Sequence, residues 1–188
     1  MPGSLKLYHH TSLAHLPYIL MDGALVPSPS PSKEWPRDLV WATDDERGDR
    51  TTAICGHAHQ TSVPHVRITL KPDLFRPWQQ VADDAGWDKK TRDVLILAAD
   101  AMGQRDTSGW YACLEEVSTD QVVSMEMRTW SSPWQSVRLD RVAVVGDVLT
   151  FDAGGRPWLV AREIVDGWLR YFCREGFLGG SRRGEING

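Results

Sequence analysis

Between Trp110 and Phe151 four successive segments read as strands, Trp110–Leu114, Val122–Arg128, Trp134–Leu139 and Val142–Phe151, and in Val122–Arg128 apolar and polar side chains keep a two-residue rhythm. A pleated strand turns successive side chains to opposite faces, so this rhythm calls for strands buried on one side. In Val122–Arg128 the residues expected inward are Val123, Met125 and Met127. Two earlier segments add to the same sheet. Leu39-Val40-Trp41-Ala42 is a short strand candidate, and His65–Leu70 places Val66, Ile68 and Leu70 on one face and Arg67 on the other. The pattern predicts a mostly antiparallel sheet flanked by helices, an α+β fold.

Helices are fewer. Leu5–His10 reads as a strand, after which Thr11-Ser12 supplies capping hydroxyls for a helix over His15–Asp22. Pro17 suits the first turn of that helix and Gly23 suits a left-handed stop. Leu16, Ile19 and Leu20 are expected to face the core. Asp88 can cap a second helix whose Val94, Leu95, Ala98, Ala101 and Met102 form an apolar stripe ending at Gly103. After the turn Asp152-Ala153-Gly154-Gly155, the spacing of Trp158, Ala161, Val165, Trp168, Leu169 and Phe172 predicts a C-terminal helix ending near Gly176. Residues 26–37, with four prolines and three serines, cannot form a ladder and read as a loop.

A chain of 188 residues with 41% hydrophobic and 24% charged residues is long enough for one domain with a continuous core and too short for two comfortable ones. One domain over residues 1–178 is expected, with 179–188 as a flexible tail that has nothing to bury. The opening MPGSLKLYHH lacks the apolar stretch of a signal peptide, and no apolar run is long enough for a membrane span. Cys55, Cys113 and Cys173 are widely spaced and odd in number, which fits thiols in a reducing compartment. A cytoplasmic protein without membrane attachment follows. The formal charge of −4 gives no general attraction to phosphate backbones, so a protein partner is favoured over nucleic acid.

The segment Leu7-Tyr8-His9-His10-Thr11, followed by Leu16, Ile19 and Gly23-Ala24-Leu25, resembles the opening of the histidine-containing ADP-ribosyltransferases and the related RNA 2′-phosphotransferases. Val40-Trp41-Ala42-Thr43-Asp44 is similar to a strand lying across the nicotinamide cleft in small members of that group. Trp110-Tyr111-Ala112-Cys113-Leu114-Glu115-Glu116-Val117 looks like the late strand that delivers their catalytic glutamate. The resemblance covers residues 5–45 and 110–117. It implies an ADP-ribosyltransferase-like fold, NAD as substrate and a macromolecular acceptor, in a bacterial toxin or a phage host-modifying factor. Carried over residue by residue, it implies His9 and Thr11 on the NAD ribose, Trp41 or Thr43 lining the pocket, and Glu115 as the catalytic carboxylate, with Glu116 and Glu126 as alternatives.

These residue types suit the reaction. Breaking the bond between nicotinamide and ribose builds positive charge on the sugar, which a nearby carboxylate stabilises as it develops. A histidine at a strand end is held by the sheet and can hydrogen-bond a ribose hydroxyl, and an aromatic ring can stack on nicotinamide. Arg67, and Arg47 or Arg50 in the loop DDERGDR, are candidates for the pyrophosphate, although an Asp-Arg surface network explains that loop equally well. Cys55, His57, His59 and His65 form a competing metal-ligand set, but their spacing is wrong for a standard tetrahedral site, so no metal is assigned. Two rival functions remain: a non-catalytic protein-binding inhibitor on the same scaffold, and an RNA 2′-phosphotransferase, which an acidic chain suits less well.

Overall fold

The computed structural model describes residues 5–13, 15–27, 39–48, 65–128, 132–146, 148–165, 168–175 and 184–187. Along the chain the strands are β1 (Leu7–Ser12), β2 (Ala24–Leu25), β3 (Val40–Thr43), β4 (His65–Leu70), β5 (Arg76–Pro77), β6 (Trp110–Cys113), β7 (Val117–Ser118), β8 (Val122–Arg128), β9 (Gln135–Val145), β10 (Val148–Ala153), β11 (Arg156–Val165), β12 (Trp168–Glu175) and β13 (Gly184–Asn187). The helices are α1 (Leu16–Asp22), α2 (Trp78–Asp84) and α3 (Lys89–Ala101). One sheet runs β13-β12-β11-β10-β9-β8-β4-β1-β3-β6-β5, and β2 pairs with β7 apart from it. The strand pairings are antiparallel throughout. The fold is α+β and dominated by the sheet.

Two apolar clusters lie on opposite faces of the β8-β4-β1-β3-β6 portion. On one face Leu7, Val40, Val66, Ile68, Met125 and Met127 pack with Leu16 and Ile19 of α1. Val137, Leu149, Phe151, Ala153 and Trp158 belong to the same cluster, so β9, β10 and β11 curl back over that face. Phe151 and Trp158 are directly opposed across β10 and β11 and stack at 6.2 Å. On the other face α2 and α3 cover β3 and β6 through Trp78, Val81, Ala82 and Ala99, with Trp87 and Trp110. Each fully buried Leu, Ile or Met contributes about 1.5–3 kcal/mol by leaving water.

Local sequence signals explain the helix ends. Pro17 sits in the first turn of α1, and Gly23 closes it at φ 68°, a left-handed conformation that costs glycine nothing. Thr11 and Ser12 do not cap this helix. They continue β1, and the Ser12 hydroxyl meets His15 Nδ1 at 3.1 Å. Asp88 caps α3 as expected, accepting from the Thr91 main-chain N–H at 2.7 Å.

The stripe on α3 behaves differently from its pattern. Leu95 and Ala99 face the tryptophans, whereas Val94, Ile96, Leu97 and Met102 are exposed, Leu97 by 67%. Large indoles fill the space beneath the helix, so contact along one narrow edge is enough.

Two expectations for the sheet are corrected. Met125 and Met127 are buried, but Val123 is 61% exposed because the pairing jumps from Thr69↔Ser124 to Leu70↔Val122. Val123 is therefore the extra residue of a β-bulge, displaced from its expected face. The break expected between Leu139 and Val142 is absent: β9 runs on to Val145, and the turn comes at Gly146, where φ is 58°.

The predicted C-terminal helix is a hairpin, with Val165 opposite Trp168. The apolar spacing there fits a helix, but the segment is rich in β-branched and aromatic residues and Asp166-Gly167 is a favoured hairpin dipeptide. Within the expected tail, Gly184–Asn187 pairs with β12. Among the described residues no helix is long and apolar enough to cross a membrane.

The bulge gives a clear mutational contrast. Val123→Ser should change stability by less than about 0.5 kcal/mol in urea unfolding, whereas Met125→Ala should cost about 2–5 kcal/mol.

Candidate active site

In an antiparallel sheet, residues directly opposite one another share a face. Tyr8 lies opposite Thr69 and Thr43, His10 opposite Arg67, and Arg67 opposite Glu126. One sheet face therefore carries Tyr8, His10, Thr43, Arg67 and Glu126, together with Trp41, two residues before Thr43. His9 is opposite Ile68, and Thr11 is opposite Val66, both on the face of the larger apolar cluster. The expected NAD-binding set is thus divided between two faces: His9 and Thr11 on one, Trp41, Thr43 and Arg67 on the other.

His9 is tied into the sheet. Its Nδ1 lies 2.8 Å from the Trp41 main-chain oxygen, and burial holds its pKa below the usual histidine range, so the ring is neutral and donates that hydrogen bond from Nδ1. Glu115 and Glu116 are exposed in the bend after β6. The registers of β1 with β3 and of β3 with β6 place Tyr111 in the row of His9. β6 ends at Cys113, so Glu115 lies beyond the strand and past the row that holds His9.

Trp41 is at the centre of an indole cluster, 6.1 Å from Trp78, 6.1 Å from Trp87 and 5.9 Å from Trp110. Thr43 is buried, and its hydroxyl accepts from the Asp45 N–H at 3.1 Å, which shapes the turn that follows β3. At the other side of that turn, Asp44 packs so closely on Gly109 that a Cβ there would meet its carboxylate.

Arg67 organises the polar half of this face. It is only 5% exposed, and its Nε and Nη2 both donate to Glu126 Oε2, at 3.1 and 2.6 Å. Its Nη1 donates to the Glu46 main-chain oxygen at 2.9 Å and is 3.0 Å from the Glu46 carboxylate. The guanidinium also lies 5.6 Å from the Tyr8 ring centroid and 4.4 Å from that of Trp134. Arg67 is thus engaged with two carboxylates and is not directed at a pyrophosphate. Glu126 is 29% exposed, so a ligand can reach its carboxyl group, and Arg67 does not use Oε1.

No family model, curated protein or solved structure matches this chain. The candidate site therefore rests on the geometry of its own residues.

His10 faces the same region. Its Nε2 is 3.2 Å from the Asp45 main-chain oxygen, and burial lowers its pKa to about 4 despite that bond. A neutral ring donating from Nε2 leaves Nδ1 as an acceptor. Burial, then the Glu46 charge, raises the Tyr8 pKa, so the phenol keeps its proton. His10 and Trp134 were not singled out in the sequence; only register shows which of two adjacent histidines shares a face with Arg67, and a tryptophan ahead of a strand looks like any core tryptophan.

Other candidates fall elsewhere. Arg47 is exposed, its main-chain N–H bonded to the Asp45 carboxylate at 2.8 Å. Arg50, Cys55, His57 and His59 lie outside the described residues, and His65 is buried opposite Arg128. Among the described residues no group of His, Cys, Asp and Glu could hold a metal ion. Cys113 is buried in the apolar core.

Removing one member of a buried ion pair leaves the other charge uncompensated. Arg67→Ala should therefore cost about 3–5 kcal/mol in urea unfolding, and Arg67→Met combined with Glu126→Met should recover part of that loss.

The histidines set a pH dependence. A folded-state pKa near 4 against an unfolded 6.5 means that His10 supports the fold fully above pH 6.5 and loses that contribution as pH falls towards 4. Solvent access at the half-buried ring keeps the loss below about 3 kcal/mol. His10→Gln should flatten that part of the stability profile measured between pH 7 and 4.

Proposed function

We propose that this protein is a NAD-dependent ADP-ribosyltransferase on an ADP-ribosyltransferase-like α+β fold, with Glu126 rather than Glu115 as its carboxylate and His10 rather than His9 facing the ligand. The observation that carries the reading is the cross-strand row His10–Arg67–Glu126, in which Arg67 grips one oxygen of a solvent-reachable carboxylate. The Cα atoms of His10 and Glu126 are two strand spacings apart, roughly 10 Å, a gap that a ribose can bridge through their side chains.

The residues then have distinct tasks. Oε1 of Glu126 accepts a hydrogen bond from a ribose hydroxyl and stabilises the positive charge that develops as the bond from C1′ to the nicotinamide nitrogen breaks. The bonding electrons leave with nicotinamide, which departs neutral. A nucleophile of the acceptor forms the new bond to C1′ and releases its proton to solvent. His10, neutral at physiological pH, accepts a hydroxyl hydrogen bond at Nδ1. Arg67 positions Glu126 and does not touch the ligand.

The acidic chain favours a protein acceptor, as in a toxin or a phage factor acting on a host protein in the cytoplasm. A second reading, a non-catalytic binding protein, is favoured by the exposed apolar surface of α3 at Val94, Ile96, Leu97 and Met102.

Incubation with labelled NAD and a cell lysate separates the two. The native protein should label an acceptor. Glu126→Gln, which keeps an acceptor oxygen for Arg67, should lower the rate by on the order of a hundredfold or more, and Glu115→Gln should leave it unchanged. Labelling that survives Glu126→Gln overturns the assignment of the carboxylate. No labelling by the native protein, with a stoichiometric complex recovered on it that Leu97→Asp abolishes, supports the binding protein instead.

A further inference from the structure

Two arginines share the ring of Trp134, and they are not equivalent. Arg67 lies 4.4 Å from the ring centroid and Arg128 lies 4.5 Å from it. Arg67 is neutralised by Glu126 and Glu46. Arg128, two residues beyond Glu126 on β8 and therefore on the same face, forms no salt bridge with an acidic residue among the described residues. It is half-buried, with its charge held against an indole.

The backbone explains this placement. β9 joins β8 by pairing Ser136 with Glu126 and Gln135 with Met127, which brings Trp134 level with Arg128. A guanidinium held over an aromatic face can still offer its N–H groups to other acceptors, and arginine binds phosphate with two parallel hydrogen bonds. Arg128 and Glu126 are separated by two residues of strand, roughly 7 Å. That is about the reach from a ribose hydroxyl to the phosphate on the same sugar.

We infer that Arg128, held by Trp134, is the cationic subsite for the diphosphate of a nucleoside diphosphate ligand, the part of the site for which Arg67 is already engaged. The inference rests on the proposed donor being a dinucleotide but concerns binding and not bond cleavage. It assigns Trp134 as the positioning residue for Arg128.

Calorimetric titration of the full chain with ADP and with inorganic pyrophosphate at low salt tests it. Both should bind, more weakly as salt rises. Arg128→Gln should weaken each by at least on the order of tenfold, and Arg128→Lys should lose less. Thermal melting confirms that Arg128→Gln is folded, and Trp134→Phe, which keeps an aromatic ring, should fall between native and Arg128→Gln.

The inference is overturned if Arg128→Gln binds ADP as tightly as the native chain, or if the native chain binds neither probe at millimolar concentration. Binding of ADP that depends on Arg128, without any cleavage of NAD, leaves this subsite standing and removes the transferase reading. Cleavage that depends on Glu126, with ADP affinity indifferent to Arg128→Gln, does the reverse.

Discussion

One buried guanidinium ties three separate pieces of chain together. Arg67 rises from β4, donates twice to Glu126 on β8 and reaches back to both the main chain and the side chain of Glu46 after β3. A charge with so little access to water is tolerated only where its donors are met, and here two carboxylates, a main-chain oxygen and two aromatic rings surround it. Glu126, the turn after Thr43 and Trp134 all meet at that single group.

The sheet makes the arrangement affordable by separating its chemistry from its packing. One face of β8-β4-β1-β3 is closed by α1 and by the curl of β9, β10 and β11, giving the larger apolar cluster. The opposite face is divided. Tryptophans under α2 and α3 fill the part over β3 and β6, and the polar row His10–Arg67–Glu126 crosses β1, β4 and β8. Because β4 alternates strictly, Arg67 can sit among Val66, Ile68 and Leu70 without disturbing the core on the other side.

The aromatic content has two uses in this fold. Trp41, Trp78, Trp87 and Trp110 pack against one another at edge and tilted angles, which lets two short helices cover the sheet with few contacts of their own. Trp134 instead faces cations. Its position is set by the last residues of β8 and the first of β9, so the same strand crossing that continues the sheet also completes the polar surface.

Much of this was legible in the residues. The alternation of His65–Leu70, the proline and glycine bounding α1 and the aspartate capping α3 act locally, and each element formed where its pattern placed it. Where two periods competed, the chain alone did not decide: residues 156–175 have helical spacing but strand composition, and pairing with β10 settled them as strands. A one-residue change of parity, such as the bulge at Val123 or the choice between His9 and His10, reverses which face a side chain joins. Alternation along a strand is a property of the sequence, but the neighbour that each residue faces is a property of register. Only the assembled sheet could bring Arg67, Glu126 and Trp134 into one place.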